Sequence, residues 1–437
     1  MKKQQSYRLW TLLGLGLYLF LALSNHVSVA EGQLGYFMRE GAIFWQQGEI
    51  LFSNSLTYTN PEQPMYNNHW LASAFFYMMQ QGIGFGGLHF LIATLYVLAF
   101  VFLFRLLVQS TNLIVILLIG LLAAPLFATH YIIAPVLFTH LFSIVFFILL
   151  YQYLNDKKTI KWLYFLPVLQ LLWVNCHTYF FISWGLLIAA FLQALLHQKD
   201  KALPLLIITI ICLAASFIHP QFAQGTFGAL SMAFSYFEIL PIWERTTLDA
   251  YLLTHSYTLL YVLIISIISL LGSLWLALKI KTARPKFFIL STAVLFIFFS
   301  FWNNQLVLLA GISWIIIAFP TFNYYLENPS EEADEKHFLV QYNPPVLALY
   351  GLLPLFFAAG FLQPINNFGY GLRADETVSI DFINQVGIQG PFFHNSAISG
   401  LMAYGLAQEQ PLYLSSQALA HPVSFLTQKY FPQILDP

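Results

Sequence analysis

Apolar runs of about 18 or more residues recur along this chain between short polar breaks, and each is long enough to cross the hydrocarbon core of a bilayer as a helix. A lipid solvent leaves few folds open: backbone polar groups must be satisfied within each span, so the chain is read as all-α and polytopic. Composition agrees, since 59% of the 437 residues are hydrophobic and only 8% charged, against roughly 25% charged in a soluble domain. Spans are expected at 9–27, 86–107, 112–129, 135–154, 161–176, 178–196, 203–218, 256–278, 286–301, 304–322 and 344–362, about eleven transmembrane helices in all. MKKQQSYR followed by an apolar run resembles a signal peptide, but the run is long for one and is read as an uncleaved first helix.

Orientation follows from lysine and arginine. With the N-terminus inside, Lys2, Lys3, Arg8, Arg105, Lys157, Lys158, Lys161, Lys199, Lys201, Lys279, Lys281, Arg284, Lys286 and Lys336 fall inside, and only Arg39, Arg245, Arg373 and Lys429 outside. One missed helix would reverse every later loop, so this agreement supports the span assignment as well. The acidic run SEEADEK in the inner loop 322–343 is the one departure. The net charge of -1 is segregated by side and points to no nucleic-acid partner. Cys176 and Cys212 lie in or beside apolar segments, where they read as small apolar filler and not as a disulfide or zinc framework.

The first long polar interval, 27–70, carries most of the chemistry. It holds Glu31, Glu40, Glu49 and Glu62, a glycine-punctuated amphipathic helix from about Gln33 to Gln47, and the run Asn67, Asn68, His69, Trp70. Tyr36, Phe37, Phe44 and Trp45 form an apolar stripe suited to the headgroup region. No carboxylate of the outer face falls inside an expected span, which argues against an ion relay at membrane depth and for a site at the outer surface. His69, His130, His140, His177 and His219 gather on the same side, but none are paired at i, i+4 on a helix, so no metal is expected. Asn175 and His177 sit at a helix break in LLWVNCH, and Glu244 and Arg245 in PIWERT; all four read as cleft-lining or as solvated and turn-satisfying residues. Residues 363–437 read as a small outer α/β module, with helices in VSIDFINQVG and AISGLMAYGLAQ and strands in IQGPFFHN and PLYLSSQ. Such a module is too small to bury much core alone, so it packs on the membrane part (1–362) or is incomplete.

Taken together, QLGYFMREGAIFWQQG, NSLTYT, NNHWLASAFFY, LLWVNCH, HPQF, GPFFHNSAISGLMAYGL and LYLSSQALAHPVSF resemble, in order and spacing, bacterial multi-pass proteins of the GT-C glycosyltransferase architecture. These are related to the mannosyltransferases that use lipid-phosphate sugars. Gly41 and Gly48 hold the family's two loop glycines, and Trp70 and Leu71 its Trp-Leu pair. The departures are at the acids. The family's loop aspartate falls on Gln33, the glutamate before Trp70 falls on His69, and the tail aspartate and arginine fall near Ser415 to Ala418.

The resemblance implies transfer of a sugar from a polyprenyl-phosphate donor to an acceptor on the extracytoplasmic side of a bacterial inner membrane. An outer-loop carboxylate in such enzymes takes the proton of the attacking acceptor hydroxyl. Glutamine at 33 cannot, so the candidates are Glu31, two residues away, and Glu40, about two turns along the same helix. Arg39 and Arg245 are placed near the donor phosphate, with Gln33, Asn67, Asn68, His69, Trp70, Asn175, His177 and Glu244 around the cleft. The implied partners are the lipid-linked sugar donor and membrane lipids. The missing acids keep a second reading open, a catalytically degenerate relative that binds lipid-linked glycan or a partner protein. A transporter is the third, disfavoured by the absence of buried charges and of an internal repeat.

Overall fold

The computed structural model describes residues 2–30, 33–107, 113–129, 131–239, 257–279, 286–327, 368–373, 376–406, 410–415, 420–430 and 432–433. The described residues are mainly helical. Helix α1 (Lys2–Ala22) is followed by α2 (Leu34–Gln47), α3 (Trp70–Leu107), α4 (Leu113–Thr129) and α5 (Val136–Leu154). Then come α6 (Phe165–Cys176), α7 (Ile182–His197), α8 (Lys199–Ala215) and α9 (Phe222–Ile239). The bundle is completed by α10 (Tyr257–Lys279), α11 (Lys286–Trp302) and α12 (Leu308–Glu327), and the C-terminal segment carries α13 (Val378–Val386) and α14 (Ser399–Gly405).

Three of the described helical stretches, Trp70–Leu107, Val136–Leu154 and Thr178–His197, are long and apolar enough to cross a membrane. Shorter apolar helices occupy Leu9–Ala22, Ile160–Cys176, Leu260–Trp275, Lys286–Trp302 and Leu308–Thr321. The expected span 344–362 lies outside the described residues. On α1, Leu9, Leu13, Leu17 and Leu21 line one exposed face, while Leu12, Leu15, Leu19 and Leu23 are buried. A continuous exposed leucine stripe is unfavourable in water and suited to lipid. The buried face packs on α3 and α4.

The rest of the bundle closes around α12, which packs against α10, α11 and α4, while α8 contacts both α6 and α7. Aromatic rings fill the joints. Phe147 of α5 stacks on Phe288 of α11 with centroids 5.5 Å apart, and Trp173 of α6 is fully buried against Phe146. Helix α3 breaks at Gly84, whose φ of 69° and ψ of 175° suit glycine alone. The break divides α3 into a segment beginning at Trp70 and a long apolar segment running to Leu107, which contains the expected span 86–107.

Helix α9 falls between the expected spans 203–218 and 256–278. In SFIHPQFAQG, Pro220 and Gly225 read as a helix stop, but the helix starts at Phe222 and runs on through Gly225 and Gly228, which accommodate close neighbours, the His219 and Tyr66 rings.

In the C-terminal segment α13 ends at Gly387 in the left-handed region (φ 70°), as expected. The two strands do not form among the described residues. Leu412 pairs with the first polar loop instead, donating to the Leu56 carbonyl (2.8 Å) and accepting from the Tyr58 amide (2.9 Å). A second clasp joins Val27 N–H to Gly371 O (2.8 Å) and Arg373 N–H to Val27 O (3.1 Å). These segments meet their backbone needs one bridge at a time on the loop, and not in a sheet of their own.

Candidate functional site

Helix α2 was expected to lie in the headgroup region; the structure buries it instead. Leu34 through Ile43 are buried on every face, because α3 covers one side and α14 the other. Only the last turn is exposed, including Trp45, whose indole still donates to Ala74 O of α3 (3.0 Å). The close approach depends on Gly41: a Cβ there would collide with the Ser73 carbonyl oxygen. Glycine at this position therefore brings the preceding residue, Glu40, within reach of the start of α3.

Glu40 is 4% exposed and held from both oxygens. Its Oε2 lies 3.0 Å from His69 Nε2 and accepts from Ser73 Oγ at 3.0 Å; its Oε1 accepts from Asn67 Nδ2 at 3.4 Å. A carboxylate against the first turn of α3 also faces the positive end of that helix. Close by, burial and the Glu40 carboxylate push the Tyr36 phenol well above its ordinary range.

Around this centre Asn68, Trp70, Asn175 and His177 make polar contacts in buried or half-buried surroundings. Asn68 Nδ2 donates to Val174 O and Gly225 O, both at 3.3 Å, bridging the end of α6 and the start of α9. Asn68 Oδ1 is buried with no hydrogen-bond partner. Trp70 Nε1 donates to Asn175 Oδ1 (2.9 Å), and Asn175 Nδ2 in turn donates to Leu171 O (2.8 Å) and Ile218 O (2.9 Å). His177, in extended backbone between α6 and the next turn, shares a 2.7 Å hydrogen bond with Thr139 Oγ1. Burial, and then the neighbouring His140 and His69, lower the His177 pKa well below the ordinary imidazole range.

His219 adds to these contacts. Its Nδ1 accepts the Gln221 amide (3.1 Å), so Nε2 carries the proton and donates to Asn67 O (3.0 Å). Burial lowers its pKa and the Asn67 carbonyl partly opposes that shift. The grouping of His69, His140, His177 and His219 was legible in the sequence; among the described residues no group of three or more His, Cys, Asp or Glu has metal-holding geometry.

Arg39 turns away from Glu40. Its Nη2 donates to Gln410 O of the C-terminal segment (3.0 Å), and it lines a cavity of about 190 Å³ with Gln46, Tyr77, Gln80, Gln81 and Tyr404. Gln33 caps α2 with φ 65°, a left-handed conformation uncommon for a residue with a side chain. Glu31, Glu244, Arg245 and His130 lie outside the described residues.

Sequence reasoning missed Glu376. It reaches back to the segment just before Glu31, where its Oε1 accepts from Ser28 Oγ (2.5 Å) and Ala30 N–H (3.0 Å), leaving Oε2 buried without a partner. Nothing local in LRADET signals this contact, which closes across most of the chain length.

No protein-family model matches this sequence, and no curated protein matches it. The fold is similar to that of the Archaeoglobus fulgidus oligosaccharyltransferase in the apo form, with a TM-score of 0.51 and 14% sequence identity. The likeness covers 92% of this chain and 61% of that one, so the chain spans under two thirds of its neighbour's length. The likeness is one of fold: a helical architecture, with three described helices long and apolar enough to cross a membrane.

Proposed function

We propose that this chain is a membrane glycosyltransferase that moves a sugar from a lipid-linked donor to an acceptor at the outer helix ends, with the α2–α3 junction as its site. The observation that carries the reading is the buried Glu40–His69 contact in a fold that follows an oligosaccharyltransferase over 92% of the chain. In the proposed step the acceptor hydroxyl loses its proton to the Glu40–His69 pair and its oxygen bonds to the sugar's anomeric carbon. The bond from that carbon to the donor phosphate oxygen breaks, and the phosphate leaves on its lipid. Arg39, in the adjacent cavity, supplies the planar cation that a phosphate oxygen pairs with. Glu31 is the alternative base, since it follows directly on the Ala30 backbone that Glu376 holds. The donor is a polyprenyl phosphate sugar, and the protein sits in a bacterial cytoplasmic membrane with its N-terminus inside.

A second reading is favoured by two observations: Glu40 is enclosed with donors on both oxygens, and glutamine stands at 33 where the enzymes this sequence resembles carry aspartate. The chain then binds lipid-linked glycan, or a partner protein, without turnover. Purified protein incubated with labelled polyprenyl-phosphate sugars and a membrane-lipid acceptor extract separates the two. Consumption of one donor supports the transferase. Saturable binding without consumption, in protein with a cooperative thermal transition, supports the second reading, under which Gln33→Asp creates turnover. Neither binding nor consumption of any donor overturns both.

A further inference from the structure

At the end of α3 and α5 away from the Glu40 network, the two helices part to leave a groove of about 560 Å³. Its walls are apolar, with Phe102 from α3 and Ile148 from α5, and its mouth is basic, with Arg105 in the last turn of α3 and Lys157 and Lys158 just past α5. The acid of that turn does not neutralise the mouth: Asp156 pairs instead with Lys201 of α8, at 2.5 Å. Lys158 lies 3.8 Å over the ring centre of Trp162, an indole 46% exposed and so placed as interfacial tryptophans are. Midway between apolar wall and basic mouth, Gln152 Oε1 is buried with no hydrogen-bond partner.

A solvated positive-inside patch accounts for the lysines but not for the apolar groove beneath them or for a buried acceptor lacking a donor. The acidic run of Glu331 to Glu335 supplies charge but no apolar tail. Charge complementarity and the lining together describe an amphiphile with an anionic, hydroxyl-bearing head.

We propose that this groove holds one anionic glycerophospholipid of the surrounding leaflet. Its phosphate sits between Arg105 and the two lysines, its head-group hydroxyl donates to Gln152 Oε1, and an acyl chain lies along Phe102 and Ile148. The site is separate from the sugar-transfer site and stands whether or not that reading holds.

The test is native mass spectrometry of the full chain released from detergent with equimolar phosphatidylglycerol and phosphatidylcholine. Phosphatidylglycerol adducts should exceed phosphatidylcholine adducts by about tenfold or more, given three basic residues at one head group. Arg105→Gln with Lys157→Gln and Lys158→Gln should bring the ratio to about one. Ile148→Trp fills the groove without altering charge and should also abolish the preference; a preference that survives it, with the thermal midpoint unchanged, places the lipid on the surface and overturns the proposal. Equal adducts in the wild type overturn it too, as does displacement of phosphatidylglycerol by substoichiometric polyprenyl phosphate, which would make the occupant a carrier lipid. Should the Trp variant fail to fold, Gln152→Leu serves instead, and an unchanged preference for phosphatidylglycerol over its charge-matched, hydroxyl-free analogue phosphatidylmethanol refutes the head-group assignment.

Discussion

A buried carboxylate needs donors, and Glu40 has three from residues 27 to 33 positions later in the chain. Glu40, Asn67 and His69 were each conspicuous in the sequence as polar residues between apolar runs. That they touch was not legible, because the contact exists only once α2 lies on α3. Glu376 was still less legible, since its partners Ser28 and Ala30 are brought to it by the return of the C-terminal segment. Histidine 421 gives a prediction at this scale. Its Nε2 accepts the Ser415 amide at 2.9 Å, and burial pulls its pKa from the ordinary 6.5 to about 4. The unfolded imidazole takes up a proton below about 6.5, whereas the folded one resists until about 4, so the stability it contributes is complete above 6.5 and is lost as pH falls through this window. Hydrogen exchange at the Ser415 amide should accelerate between pH 7 and pH 4.5 in the wild type. In His421→Gln, which cannot titrate, that acid-induced acceleration should be absent once intrinsic exchange rates are divided out.

At the scale of the element, amphipathicity alone did not say what would cover α2. The stripe Tyr36, Phe37, Phe44 and Trp45 fits a headgroup interface, and the sequence carries no mark that α14 would close over the other face. Gly41 was visible as a motif glycine, and its physical reason is the Ser73 backbone that leaves no room for a Cβ. Gly41→Val should therefore push α2 off α3 at a cost of about 1–3 kcal/mol, seen as a lowered thermal midpoint, and should weaken donor binding through misplaced Glu40 and Arg39. A variant that melts and binds as the wild type does would show that the contact is looser than described. Helix α9 was hidden by its own composition, since glycines that serve close packing are indistinguishable in sequence from glycines that end a helix.

For the whole molecule, the apolar runs were the strongest signals, because lipid permits so few backbone solutions. They located the described helices of the bundle closely, apart from α9. In the C-terminal segment the expected helices form and, among the described residues, the expected strands do not, since a strand's partner is a matter of tertiary docking and here the partner is the first polar loop. That docking joins the first loop and the C-terminal segment, and it places Arg39 and Glu376. The proposed transferase reacts its lipid-linked sugar at the α2–α3 junction. The most direct measurement is to take the lipid-linked donor that the wild type consumes and determine its binding and its rate of consumption in wild-type and Glu40→Gln protein from matched preparations. Binding retained within about threefold, with consumption reduced by about a hundredfold or more, is the predicted result. Undiminished consumption by a folded Glu40→Gln variant would contradict it.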